Sequence, residues 1–370
     1  MTPDQILDIS FTVAIRAKSI SFVRDKEIKG RIEYVCQCGG NRAGVRLLLA
    51  CLLAKLDNPA LDVRKPYTEI GTPDCFSGRM YDERFISPFA VKNRLPVNAS
   101  TAFLTPALRN IDRPLSVSQD LVGTPRDLYK NVIQVLDDVA TEKIAANTVL
   151  QEALRFLIRL RDENEARVRS LIKSIKRAEG GVPLSSENIA ALVQQHLSCP
   201  HSSRLPTLVI AAAYKTVNIG EYAETLSKHN AADAATGALG DVEIRLSKDG
   251  KLATVYEIKT KCITTVDIDA ALKKIALSDR QIDNYLFVTT ETVDPLVSDY
   301  AKSFYIETGV EIAMLDCLGF LRHFLHFFHR FRLTWLNHYQ ELVIAEPDSA
   351  VSPELKEAFL ALRLAAEMGK

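Results

Sequence analysis

The stretch from Gly240 to Leu315 constrains the fold most, because there the hydrophobic pattern changes period. Asp241 to Leu246 and Leu252 to Lys259 alternate as two strands around a turn at Lys248-Asp249-Gly250. Asp267 to Leu277 then reads as a helix and Asn284 to Thr289 as a strand. A helix from Pro295 to about Thr308 and a strand from Val310 to Leu315 follow. The order hairpin, α, β, α, β implies an α/β unit in which helices pack on a mixed central sheet.

Upstream the chain is mostly helical. Residues 41 to 57 read as a mostly buried helix with Asn41 as N-cap after Gly39-Gly40. Residues 66 to 115 are rich in Pro, Gly, Thr, Ser and Asn. They set Arg79, Arg84, Lys92, Arg94 and Arg109 among Phe76, Tyr81, Phe85, Phe89 and Phe103, a segment too long and aromatic for an idle linker. A charged helix over 142 to 179 ends at Gly180-Gly181, the expected domain boundary. Three helices should follow: one capped by Ser185 or Ser186, one through LPTLVIAAAYKTV and one through Glu221 to His229. The expected organisation is a basic, helix-rich region over 1–180, an α/β core over 181–340 and a C-terminal helix over 341–370.

With 370 residues, 47% hydrophobic and 25% charged, the chain is of average globular composition, and disordered, collagen-like and disulfide-scaffold classes are excluded. Seven scattered cysteines suit a reducing, cytoplasmic setting, and Cys36-x-Cys38 is too tight for a zinc knuckle. No signal peptide is seen, and the apolar stretch Leu315 to Tyr339 is broken by Arg322, Arg330, Arg332 and four histidines, so no membrane span is expected. Forty-six basic residues balance forty-six acidic ones, which argues against a nucleic-acid partner. The balance is uneven, however: residues 1–180 carry 28 basic and 22 acidic side chains, and 181–370 carry 18 and 24. A basic half for phosphate and an acidic half for a divalent metal fit that asymmetry, as does chance.

Chemistry concentrates in the hairpin. Asp241 on one strand and Glu257-Ile258-Lys259 on the next are the minimal equipment for metal-assisted phosphodiester hydrolysis. Two carboxylates bind Mg²⁺, and an ammonium positions water and offsets charge on the phosphorane-like transition state. Glu257 and Lys259, two apart on a strand, share a face. Two other Glu-x-Lys triplets occur, at Glu27 and Glu354, but neither has the partner Asp and the strands. Register is open: a two-residue Asp249-Gly250 loop pairs Val242 with Glu257, whereas a three-residue Lys248-Asp249-Gly250 loop sets Asp241 directly across from Glu257. The catalytic reading requires the second pairing.

Asp241 and Glu257-Ile258-Lys259, with α-β-α-β following, resemble the PD-(D/E)xK restriction endonuclease-like core, with Gly240 where proline often stands. The stretches NRAGVRLLLACLLAKL, KPYTEIGTPDCFSGRMYDERFISPF, TAFLTPALRN and HNAADAATGALGDVEI resemble the SacI family of type II restriction endonucleases. The resemblance implies Asp241, Glu257 and the Ile258 carbonyl as Mg²⁺ ligands and Lys259 as the water-positioning residue. It implies Mg²⁺-dependent cleavage of double-stranded DNA at a palindromic site, leaving 5′-phosphate and 3′-hydroxyl, by a homodimer with a cognate methyltransferase in the same cell. Alternatives are a repair or junction nuclease of the same core, or a non-catalytic DNA-binding protein.

Further candidates are less sharply drawn. Glu224, Glu221 or Glu243 could complete the metal site, although the first two also read as helix-surface glutamates. Arg79, Tyr81, Arg84 and Lys92 are candidate DNA readers or ordinary loop residues. Arg42 and Arg46 could meet phosphate at a helix start, or simply belong to a capped helix. Lys261 could contact the scissile-strand backbone. His323, His326 and His329 recur every three residues beside six aromatics and read as a packing or subunit-interface helix rather than a metal site.

Overall fold

The computed structural model describes residues 1–98, 101–118, 121, 123–177, 184–217, 222–226, 238–246, 248, 251–278 and 280–368, with backbone alone at 176, 177 and 222–226. The chain divides into two units, Met1–Ala166 and Arg167–Lys370. The expected boundary at Gly180-Gly181 lies outside the described residues, and the division falls earlier, inside a single long helix.

The first unit is helical and built around α3 (Ala43–Asp57), after α1 (Pro3–Arg16) and α2 (Lys26–Gln37). Every residue of α3 from Ala43 to Ala54 is buried, because a run of Ala, Leu, Val and Cys leaves no polar stripe beyond Arg46. The helix begins at Ala43, and Asn41 accepts the Ala43 N–H at 3.0 Å, so the cap lies one place later than expected, at Arg42. The segment 66 to 115 is more helical than its Pro and Gly content suggests. Short helices α4 (Gly78–Tyr81) and α5 (Ser87–Lys92) join through a π-helical turn over Asp82–Ile86. Helix α6 (Asp127–Ala140) and the first half of α7 (Ala146–Arg177) complete the core. Val149, Leu150, Leu154 and Leu157 of α7 are buried in the first unit's core, whereas Ile175 belongs to the second. One helix therefore carries the chain from one core to the next.

The second unit carries a five-stranded mixed sheet in the order β1 (Tyr222–Leu226), β2 (Val242–Leu246), β3 (Leu252–Lys259), β4 (Asn284–Thr289) and β5 (Glu311–Asp316). The first three strands are antiparallel neighbours and the last three are parallel. Helices α10 (Thr265–Leu277), α11 (Pro295–Ser303) and the short α12 (Tyr305–Thr308) make the crossovers. The expected α/β unit with helices on a mixed sheet is thus present, its strands close to the expected limits. One assignment is corrected: the helix expected through Glu221 to His229 includes strand β1, and residues 221 and 227–229 lie outside the described ones.

Alternation along the strands gives the sheet two different faces. Val242, Ile244, Tyr256, Leu286 and Val288 pack with α8 (Ser186–Leu197), α9 (Leu205–Val217), α13 (Cys317–Phe327), α14 (Arg332–Ala345) and α15 (Pro353–Glu367). Val255, Tyr285 and Phe287 face Ile268 and Ala271 of α10 and Val297 and Ala301 of α11. Within the region expected as a C-terminal helix, Val343, Leu355, Phe359 and Leu360 are buried in this core with Trp335 and Tyr339. Buried His196 ties them in, its Nε2 3.0 Å from the Leu355 carbonyl and its Nδ1 3.1 Å from the Tyr339 hydroxyl.

Candidate functional site

The pairing of β2 with β3 decides where Asp241 stands. Val242 pairs with Tyr256, Glu243 with Val255 and Ile244 with Thr254, and Asp241 stands just before the strand. Nearer the turn, Arg245 pairs with Leu252, and the Leu246 N–H donates to the Lys251 carbonyl at 2.8 Å. The shift leaves Ala253 as an extra residue, a β-bulge. Val242 therefore has the partner that the catalytic reading requires, but the bulge produces that pairing, and the turn-end pairing is not that of a three-residue loop. Positions 247, 249 and 250 lie outside the described residues.

Asp241 is fixed to β3 at two points. Its N–H donates to the Tyr256 carbonyl at 2.8 Å, and its Oδ2 accepts the Ile258 N–H at 2.8 Å. Gly240 makes this approach possible: a Cβ there would stand 2.6 Å from the Tyr256 oxygen and 2.5 Å from Val255 Cγ1.

Glu257 and Lys259 share a face of β3 as their spacing requires, Lys259 Nζ lying 3.1 Å from Glu257 Oε1. Three further groups meet them that were not singled out in the sequence. Lys274 of α10 brings its ammonium 3.6 Å from Glu257 Oε2, and Tyr285 of β4 donates its hydroxyl to the same oxygen at 3.3 Å. Asp267, in the first turn of α10, lies 3.6 Å from Lys259 Nζ. Burial raises the Asp267 carboxyl, but hydrogen bonds from the Thr264 hydroxyl and N–H, and the charges of Lys259 and Lys261, outweigh it and hold the group below the usual carboxylate range. Lys274 is legible only as a helix lysine at a one-dimensional level; its approach to Glu257 depends on how α10 packs back onto β3 and β4.

Among the described residues no group of three or more His, Cys, Asp or Glu is placed to hold a metal ion. The donors that the hairpin gathers are the carboxylates of Asp241 and Glu257 and the Ile258 carbonyl, all oxygen. Mg²⁺ keeps several waters and takes one or two carboxylates, so this small, hard donor set suits it. Glu257, 13% exposed and bracketed by two ammonium groups, is already a place where positive charge is held.

The other acidic candidates are disposed differently. Glu243, 4% exposed, accepts the Leu239 N–H at 2.9 Å and Arg280 Nη1 at 3.1 Å and is bonded to Arg245, which makes it an anchor for the approach to Asp241. Glu224 lies on a strand rather than a helix and stands opposite Ile244, while Thr225 takes the place opposite Glu243. Glu221 lies outside the described residues. Lys261 is exposed and falls two residues beyond the end of β3, so the strand does not hold it on the Lys259 face.

In the first unit two candidates are corrected. Arg46 is 1% exposed, and its Nε bonds Asp82 Oδ1 at 2.9 Å, so it closes a buried ion pair and is closed to phosphate. Tyr81 is buried, and its hydroxyl donates to Asp57 Oδ2 at 2.6 Å. Arg46 is inward because α3 is buried from Ala43 to Ala54, and Tyr81 because the short helix that carries it packs on α3. Arg79 and Lys92 are exposed, paired with Glu83 at 2.8 Å and Asp8 at 3.4 Å, and exposed Arg84 lies over the Phe85 ring at 5.4 Å. Arg42 is half-buried at the start of α3. The three histidines of the aromatic stretch do not converge: His323 stacks on Phe327, His326 pairs with Glu187 and His329 bonds Ser186, in keeping with a packing role.

Residues 182–291 match the family model described as the SacI restriction endonuclease C-terminal domain. The match covers a little under a third of the chain and includes β1 to β4 and the whole of the site just described. The resemblance read from the sequence is therefore shown over this segment, and it supports a SacI-like restriction endonuclease, hence a nuclease acting on DNA. No curated protein matches the chain. No helix among the described residues is long and apolar enough to cross a membrane.

Proposed function

We propose that the chain is a type II restriction endonuclease that hydrolyses double-stranded DNA at a specific, palindromic site with Mg²⁺, leaving 5′-phosphate and 3′-hydroxyl ends. One observation carries the reading. Within the segment that matches the family model, the Asp241 carboxylate accepts the N–H of Ile258, the residue between Glu257 and Lys259, whose side chains meet at 3.1 Å. The core is read as the PD-(D/E)xK type, with Asp241, Glu257 and the Ile258 carbonyl as Mg²⁺ ligands.

Bound there, Mg²⁺ would polarise the scissile phosphate and ease ionisation of a water. The chain's own groups have separate tasks. The Ile258 N–H holds the Asp241 carboxylate against β3, and Tyr285 fixes the Glu257 carboxylate from β4. Lys259 orients the attacking water by an N–H···O bond and offsets charge as the phosphorus becomes five-coordinate; Asp267 holds that ammonium in place. The water oxygen bonds phosphorus, the P–O3′ bond breaks, and the 3′-oxygen leaves with a proton. Exposed Arg79, Arg84 and Lys92, and half-buried Arg42, supply cations for DNA in the first unit. A two-fold dimer would match a palindrome and cut both strands, and a methyltransferase would protect the host's own sites.

Digesting a DNA of known sequence with Mg²⁺ and sequencing the ends tests this reading. Discrete fragments with one common end sequence are expected; cleavage governed by DNA structure, or none, would overturn it. Asp241→Ala and Lys259→Ala should each abolish cleavage while DNA binding persists in Ca²⁺.

A further inference from the structure

The Glu257 carboxylate is approached from two sides by ammonium groups, and only one of them belongs to the sequence triplet. Lys259 is at 3.1 Å from Oε1, and Lys274 is at 3.6 Å from Oε2, where the Tyr285 hydroxyl also donates at 3.3 Å. The carboxylate is 13% exposed and the two lysine side chains 24% and 31%, so solvent screens these charges only in part. Two ammonium groups bring the same total charge to Glu257 as one divalent cation.

We infer that Lys274 is a positioning residue of this site. Its ammonium holds Glu257 in place before a divalent cation arrives and opposes that cation's entry, and so sets the site's cation affinity. The inference rests on the metal-dependent reading above and adds to it a residue from α10. The two lysines differ in how they are held. Lys259 springs from β3 itself and is also held by Asp267 at 3.6 Å. Lys274 reaches Glu257 from the neighbouring helix on a four-carbon stem, which can swing its charge away when a cation binds. Tyr285 remains to fix the carboxylate, its hydroxyl also within 3.1 Å of the Leu239 carbonyl.

The magnitude follows from Coulomb's law. Even with the full screening of bulk water, a unit charge about 6 Å from a divalent ion opposes binding by a factor of about ten. Titrating the full chain with Ca²⁺ in a calorimeter, without DNA and at low salt, reads this directly. Lys274→Met should bind Ca²⁺ about tenfold more tightly than the unaltered protein, Lys274→Gln should change it in the same direction, and Lys274→Arg should leave it unchanged. Lys274 is not in the core, and the melting temperatures of the variants confirm that they fold. Equal or weaker Ca²⁺ binding by Lys274→Met and Lys274→Gln would overturn the inference while leaving the metal site standing. If the unaltered protein shows no Ca²⁺ binding that Asp241→Ala removes, the metal-dependent reading itself falls, and this inference with it.

Discussion

Replacing Arg46 separates the two roles open to it. Its side chain is 2% exposed and that of Asp82 is fully buried; Asp82 also accepts the Thr101 hydroxyl at 2.6 Å and the Ala102 N–H at 3.3 Å. Arg46→Met removes the cation and leaves Asp82 in the core with two neutral donors. Breaking one side of a buried pair costs about 3–5 kcal/mol. The two remaining donors to Asp82 place the expected loss toward the lower end of that range. For a unit of this size, about 3 kcal/mol lowers the melting temperature by roughly 6–12 °C. Thermal denaturation followed by circular dichroism reads the change. The second substitution in Arg46→Met/Asp82→Leu should recover a large part of it, because a well-packed apolar pair removes the stranded carboxylate. A variant that melts within a degree of the unaltered protein but loses DNA affinity would refute the reasoning and return Arg46 to the phosphate-binding role that its place near a helix start suggests.

Two other perturbations test the hairpin and the helical face of the sheet. Gly240→Ala forces a Cβ against the Tyr256 carbonyl and should destabilise the second unit by about 1–3 kcal/mol while reducing cleavage, since Asp241 moves with it; full activity and unchanged stability would show that the approach is looser than its geometry implies. Burial pushes His196 down to about 4, partly offset by its bond to the Leu355 carbonyl, so the residue is neutral in the fold. The unfolded chain binds the additional proton between about pH 6.5 and 4. The stability is therefore complete above 6.5 and is lost as pH falls through that window, by roughly 3 kcal/mol in all. A pH series of denaturant melts on His196→Gln should have a flatter slope there, and an unchanged slope would assign the acid sensitivity to other groups.

Much of the second unit is legible in one dimension because its signals are local. Alternation marks β2 and β3, an apolar run between turn residues marks β4, and Glu-x-Lys on a strand places Glu257 and Lys259 on one face whatever the surroundings. Strand β1 is not legible in this way. Its sequence, Tyr-Ala-Glu-Thr-Leu, contains good helix formers, and it is a strand because the edge of β2 offers it a ladder of hydrogen bonds. The first unit shows the opposite failure: Pro and Gly between 66 and 92 suggest loop, yet packing against α3 organises 78–92 as nearly continuous helix.

Sequence by itself determined the order of elements from β2 to β5, their mixed sheet and the residue types of the candidate site. It left the partner of Val242 open between Tyr256 and Glu257, because turn chemistry allows two loops and a bulge at Ala253 changes the register between the turn and the site. Only tertiary structure turned Arg46 and Tyr81 inward, made Glu243 an anchor and brought Lys274 and Asp267 to the lysine and glutamate of β3. The physical reason is common to all of these. A side chain's spacing along its own strand or helix is set by backbone geometry, whereas its partner across a sheet or on another helix is set by the packing of surfaces distant in the chain.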